Sequence, residues 1–92
     1  MDSILSGKTA VVTGSASGLG RAIALRFAES GSNLVIADVQ EEPRNGGMPT
    51  HQKINEQTGA AASYIECDVT DLNHVKNAVG EAEQFGGVDI MV

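Results

Sequence analysis

The sequence predicts an α/β protein built on a parallel sheet with helices on both faces. Three observations predict it. Apolar runs of strand length recur at Lys8–Thr13, Asn33–Asp38, Ala61–Cys67 and Val88–Val92. Segments of helical periodicity separate them, and strands alternating with helices read as βαβ units rather than hairpins. The first run is nearly continuous in apolar residues instead of alternating, as a strand buried on both faces requires. With right-handed crossovers, the order expected of a doubly wound sheet is 3-2-1-4.

Met1–Gly7 is a short lead-in to the first strand. The helix that follows covers Arg21–Ser30, with Leu19, Ile23 and Phe27 at four-residue steps and Ala22 and Ala28 beside them as the inward stripe. Arg21, Arg26 and Glu29 fall on the water side. Gly31 stands just past the end, where a C-cap favours a left-handed residue. After the second strand, Val39–Pro49 is polar and rich in turn formers, and reads as a loop. Asn45-Gly46 fits a primed turn, but no strands flank it and a hairpin is not expected. Thr50–Thr58 is a weak helix whose one core-type residue is Ile54, ended by Gly59. Thr70 or Asp71 caps a helix over Asp71–Phe85, with Val75, Val79 or Ala78, Ala82 and Phe85 inward and Gly86-Gly87 at its end.

The chemistry concentrates between the first strand and the first helix. Thr13-Gly14-Ser15-Ala16-Ser17-Gly18-Leu19-Gly20 is a glycine-rich turn at a strand-to-helix junction. Gly14 suits the positive φ of a tight turn, Gly18 lets a ligand approach the backbone, and Gly20 lets the helix pack close to the strand. The first amides of a helix have no internal partner and carry partial positive charge, so a phosphate satisfies both. The second strand ends on Asp38, eighteen residues past Gly20, about where an acid meets the ribose of a dinucleotide. Hydrogen bonds to a charged acceptor are worth about 1.5–3 kcal/mol each. A 2′-phosphate about 4 Å from that carboxylate would be repelled by about 4 kcal/mol at an effective dielectric of about 20. A dinucleotide without a 2′-phosphate is therefore the expected ligand. Arg44, in the flexible loop, qualifies that preference, since it could swing toward a phosphate.

The spacing Thr13-Gly14-x-x-x-Gly18-x-Gly20 resembles the cofactor motif of the short-chain dehydrogenase/reductase family. Asp68-Val69 resembles the family's adenine-contacting pair, and Gly87-Val88-Asp89-Ile90-Met91-Val92 resembles the start of its fourth strand. The resemblance covers essentially the whole chain. It implies a Rossmann-type doubly wound sheet, with Gly14, Ser15, Ser17, Gly18, Leu19 and Gly20 around the phosphates and ribose, Asp38 on the adenosine ribose, and Asp68 and Val69 on adenine. In NADP-preferring relatives a basic residue stands where Ser17 or Val39 stands here, which again points to NAD.

The resemblance also shows what this stretch lacks. The family's general acid/base is a tyrosine whose pKa a lysine four residues on lowers, both on one helix face. The single tyrosine, Tyr64, lies in a strand and is followed four residues on by Asp68. No catalytic residue carries over. The expectation is that residues 1–92 are the cofactor-binding part of one domain, cut short at its C-terminus inside an apolar strand, and inactive alone. The parent would be an oxidoreductase moving hydride between nicotinamide and an alcohol or ketone, dimeric or tetrameric as such enzymes are. A nucleotide-binding module without catalysis, or a fragment without function, would carry the same motifs.

Composition sets further bounds. Ninety-two residues are enough for one small domain and no more, with a thin stability margin. Twelve acidic against six basic residues give a net charge of −6, which argues against nucleic acid as partner. One cysteine, Cys67, excludes an internal disulfide and reads as a small buried residue. His51 and His74 have no second ligand at metal spacing and read as surface residues. No signal-like or membrane-spanning apolar run is present, so a cytoplasmic protein is expected.

Overall fold

A computed structural model describes residues 4–92. Of the lead-in over Met1–Gly7, residues 1–3 lie outside the described residues; the remainder is a turn whose Leu5 amide donates to the Ser30 carbonyl at 2.9 Å. The elements are β1 (Thr9–Thr13), α1 (Gly18–Glu29), β2 (Asn33–Asp38), α2 (Thr50–Gln57), β3 (Ala62–Glu66), α3 (Leu72–Glu81) with a 3-10 turn at Ala82–Phe85, and β4 (Ile90–Met91). All three strand pairings are parallel and the order is β3-β2-β1-β4, as the sequence predicts.

Alternate residues of the two central strands feed two separate core layers. Ala10, Val12, Leu34 and Ile36 meet Ala24 and Ala28 of α1 and Ile54 of α2 on one face. Val11, Val35 and Ala37 meet Cys67, Ala78 and Ala82 on the other. This is why the middles of β1 (Ala10–Val12) and β2 (Leu34–Ala37) are apolar without interruption: each of these side chains has a helix layer to enter.

The structure corrects several details. α1 begins three residues earlier than expected, and its fully buried residues are Ala24 and Ala28. Leu19 is 78% exposed and Ala22 is also on the surface, while Ile23 and Phe27 pack partly against the core. The helix contacts the sheet along its alanines, which permit a closer approach than the bulkier stripe. In α3 the same thing happens: Ala78 is buried and Val79 is exposed. Asp71, not Thr70, caps α3, accepting from the Asn73 amide at 2.9 Å. β3 and β4 are shorter than their apolar runs. Arg21 does not face water; its guanidinium donates to the Thr50 hydroxyl at 2.9 Å.

Candidate cofactor site

The strands are parallel, so their C-terminal ends share one edge of the sheet, and the turn after β1 meets the end of β2 there. The Gly14 amide donates to the Ala37 carbonyl at 2.8 Å. Gly14 (φ +65°) and Gly18 (φ +59°) hold left-handed backbone, which favours glycine. Gly20 is required for a different reason: a Cβ there would stand 2.3 Å from the Gly14 carbonyl oxygen and 2.8 Å from its carbon. The first turn of α1 thus lies directly on the turn that precedes it.

The helix end is left open. Ser17 occupies the N-cap but makes no side-chain capping bond. Its hydroxyl instead accepts from the Arg44 amide at 2.7 Å. Among the described residues, no hydrogen bond uses the amides of Ser17, Gly18, Leu19 or Gly20. Unpaired donors at a helix N-terminus suit an anion.

Asp38 ties β2 to this turn. One carboxylate oxygen accepts from the Ala16 amide at 3.0 Å and the other from the Val39 amide at 2.6 Å. A carboxylate has about four acceptor positions, so about two remain for a ligand. Two clefts meet at Asp38. One, of about 400 Å³, is walled by Gly14, Ser17, Gly18, Leu19 and Gly20. The other, of about 270 Å³, is walled by Thr13, Val39, Cys67, Asp68 and Val69. Gly14, Asp38 and Arg44 line both. Eight of the nine residues singled out in the sequence therefore line this paired cleft.

Ser15 is the exception. It is fully buried, and its hydroxyl donates to the Val12 carbonyl. That hydroxyl closes the turn from inside.

Asp68 is exposed and holds the start of the loop before α3. One of its oxygens accepts from the Thr70 hydroxyl at 2.7 Å and the Thr70 amide at 2.9 Å. Those hydrogen bonds, from the hydroxyl first, pull the Asp68 carboxyl below the usual aspartate range. The Asp68 amide donates to His74 Nδ1 at 3.0 Å, so His74 is engaged rather than free. Cys67 is buried, and burial first, then Asp68, pushes its thiol up.

Two supports were not legible as site residues. Thr50 is fully buried, and its hydroxyl donates to the Ser15 carbonyl at 2.7 Å while accepting from Arg21. It fixes the underside of the glycine turn from the start of α2. Tyr64 donates to the Asp38 backbone carbonyl at 2.9 Å, bracing the end of β2 from β3. His51 packs beside it, ring centres 6.0 Å apart, with Nε2 3.2 Å from a Glu41 oxygen; it is half-buried, not a loose surface residue. No spacing signal marks these contacts, because each joins segments distant in the chain.

A profile of the short chain dehydrogenase family matches residues 8–92. The chain belongs to that family. An oxidoreductase of Thermotoga maritima is 43% identical over 97% of this chain and 34% of its own length. The mitochondrial (-)-isopiperitenol/(-)-carveol dehydrogenase of Mentha piperita is 45% identical over 95% of this chain and 31% of its own. The crystal structure of a hydroxysteroid dehydrogenase from Escherichia coli superposes with a TM-score of 0.80 at 30% identity, covering 95% of this chain and 36% of that one. The chain thus spans about a third of the length of the relatives it matches. The family is one of oxidoreductases that use nicotinamide cofactors. No described helix is long and apolar enough to cross a membrane.

Proposed function

We propose that this chain is the NAD-binding part of a cytoplasmic, homo-oligomeric oxidoreductase that moves hydride between the nicotinamide and an alcohol or ketone. One observation carries the cofactor reading. The unpaired amides at the start of α1 and the Asp38 carboxylate open into the same cleft. In this reading the amides of Gly18, Leu19 and Gly20 take the pyrophosphate, with Gly14 forming the turn and Ser17 contributing its amide. Asp38 takes the adenosine ribose hydroxyls with its free lone pairs. Asp68 and Val69 flank the adenine. The bound nicotinamide supplies the hydride chemistry; this chain's own work is to bind and orient it. The (-)-isopiperitenol/(-)-carveol dehydrogenase among the relatives, named for two alcohols, supports an alcohol or ketone as the substrate class.

Titration calorimetry with NAD tests the binding. Saturable binding at one site per chain is expected, and no binding up to millimolar NAD overturns the reading. Translation of the coding DNA past the Val92 codon tests the enzymatic part. A tyrosine followed four residues on by a lysine is expected, and a stop codon there in an intact gene withdraws hydride transfer from this molecule.

A further inference from the structure

Asn45-Gly46, a turn dipeptide without flanking strands, lies in the loop between β2 and α2. Asn45 is exposed and stands in the wall of the cleft of about 400 Å³. Among the described residues its carboxamide makes no hydrogen bond. Gly46 (φ +82°) and Gly47 (φ +99°) hold left-handed backbone, and a Cβ at either would meet nothing within 4 Å. No side chain therefore screens the Gly46 nitrogen from the Asn45 carboxamide. The hydrogen bond on that nitrogen, to the Pro43 carbonyl at 3.0 Å, closes an exposed turn and is lost whenever the turn opens. The other asparagines differ. Asn33, Asn55, Asn73 and Asn77 are followed by Leu34, Glu56, His74 and Ala78, each with a Cβ that crowds its own backbone nitrogen. The Asn55 carboxamide is also tied at both ends to the Ala62 backbone, at 2.9 Å each.

We propose that Asn45 is a self-modification site: the Gly46 nitrogen attacks the Asn45 side-chain carbonyl, and the residue passes through a cyclic imide to isoaspartate or aspartate, placing a carboxylate in the cleft onto which the unpaired helix amides open. In the first step the bond from the Gly46 nitrogen to Asn45 Cγ forms and the Cγ–Nδ2 bond breaks. Ammonia leaves, carrying the proton that the Gly46 nitrogen gives up. In the second step water opens the ring. Cleavage at the Asn45 main-chain carbonyl leaves isoaspartate, and cleavage at Cγ leaves aspartate. Water is the co-reactant, and nothing is oxidised or reduced. The consequence for dinucleotide binding rests on the cofactor reading above. The chain already carries a net charge of −6. A further negative charge in the cleft walled by Gly18, Leu19 and Gly20 opposes an anion there. Dinucleotide affinity therefore falls with the age of the molecule.

The test is incubation of the purified chain at mildly alkaline pH, where a backbone nitrogen loses its proton more readily. Samples taken over days are read by intact mass, by peptide mapping and by enzymatic methylation of isoaspartate. The expected result is the mass gain of an amide turned acid, located at Asn45, open to methylation, and absent from Asn45→Gln, whose longer side chain closes the ring less readily. No gain, or a gain at Asn33, Asn55, Asn73 or Asn77 ahead of Asn45, overturns the site. Titration calorimetry with NAD then compares fresh chain, aged chain and Asn45→Asp. The aged chain and Asn45→Asp are expected to bind about threefold to tenfold more weakly than the fresh chain at low salt, the scale of one exposed charge close to a phosphate, and the difference should shrink as salt is added. Equal affinity of fresh chain and Asn45→Asp overturns the effect on binding. A fresh chain that binds no NAD removes the cofactor reading and the effect on binding with it, while the mass at Asn45 still decides the modification.

Discussion

Replacing Gly20 by alanine isolates the contact on which the glycine turn depends. The added Cβ would lie 2.3 Å from the Gly14 oxygen and 2.8 Å from its carbon. An ordinary carbon–oxygen contact needs about 1 Å more, and neither partner is a side chain that could rotate away. The Gly14 residue is also held by its left-handed backbone and by the hydrogen bond its amide donates to the Ala37 carbonyl. Overpacking costs about 1–3 kcal/mol, and a rigid backbone neighbour points to the upper end. Against that, alanine in a helix gains up to about 1 kcal/mol over glycine. The net is a loss of about 1–2 kcal/mol, a drop in Tm of about 4–16 °C for a domain of this size. Gly80 in α3 is the internal control, because a Cβ there meets nothing within 4 Å. Gly80→Ala should therefore stabilise by up to about 1 kcal/mol. Urea unfolding followed by circular dichroism reads both. If Gly20→Ala proves neutral or stabilising like Gly80→Ala, the close packing of α1 on the turn is not what the geometry requires.

Two further outcomes follow from the supports beneath the site. Thr50→Val keeps the shape but removes the hydroxyl, leaving the Ser15 carbonyl without its donor and Arg21 without its acceptor; the expected cost is about 1–3 kcal/mol in urea unfolding, and a change under 0.3 kcal/mol would sink the role given to Thr50. The Tyr64 hydroxyl is held above its usual pKa by burial first, then by Glu66, Asp38, Glu41 and Glu42. A folded pKa above the unfolded one stabilises the fold below about pH 10 and loses that contribution as pH rises through the folded value. Tyr64→Phe should accordingly flatten the alkaline limb of the stability profile, and a limb of unchanged slope would assign the loss to other groups.

What the sequence made legible follows the physics of burial. β1 and β2 could be read because a strand covered on both faces must be apolar at every step, and the parallel order followed from the helices between them. The glycine turn and Asp38 were equally plain, since backbone demands at Gly14, Gly18 and Gly20 restrict residue type. The inward faces of α1 and α3 were read only in part. Leu19 and Ala22 were expected inside and lie on the surface; Ala28 is buried as expected, Ala24 was not foreseen, and of the alternatives Val79 and Ala78 it is Ala78 that holds the contact line. Helical periodicity weights the larger residue, but a helix lying close on a sheet selects the smaller one. Leu19 is then left on the surface at the mouth of the cleft. Thr50, Tyr64 and the Ser15 hydroxyl were illegible for a different reason. Their roles depend on hydrogen bonds whose partners only the folded chain brings near, and a polar residue carries no periodic signature of its partner.

The division of the core into two layers also bears on how the chain is made. Every buried residue of the layer beneath α1 and α2 lies between Ala10 and Ile54, whereas the opposite layer is complete only with Ala82. At synthesis rates of about 5–20 residues per second, the 28 residues separating Ile54 from Ala82 take about 1.4–6 s to emerge. Helices and short loops form in microseconds. A nascent chain therefore has seconds in which Gly14, Asp38, Arg44 and Thr50 are all available to assemble, while Val11, Val35 and Ala37 still lack their cover. During that interval the bare face is a target for chaperones and for other nascent chains.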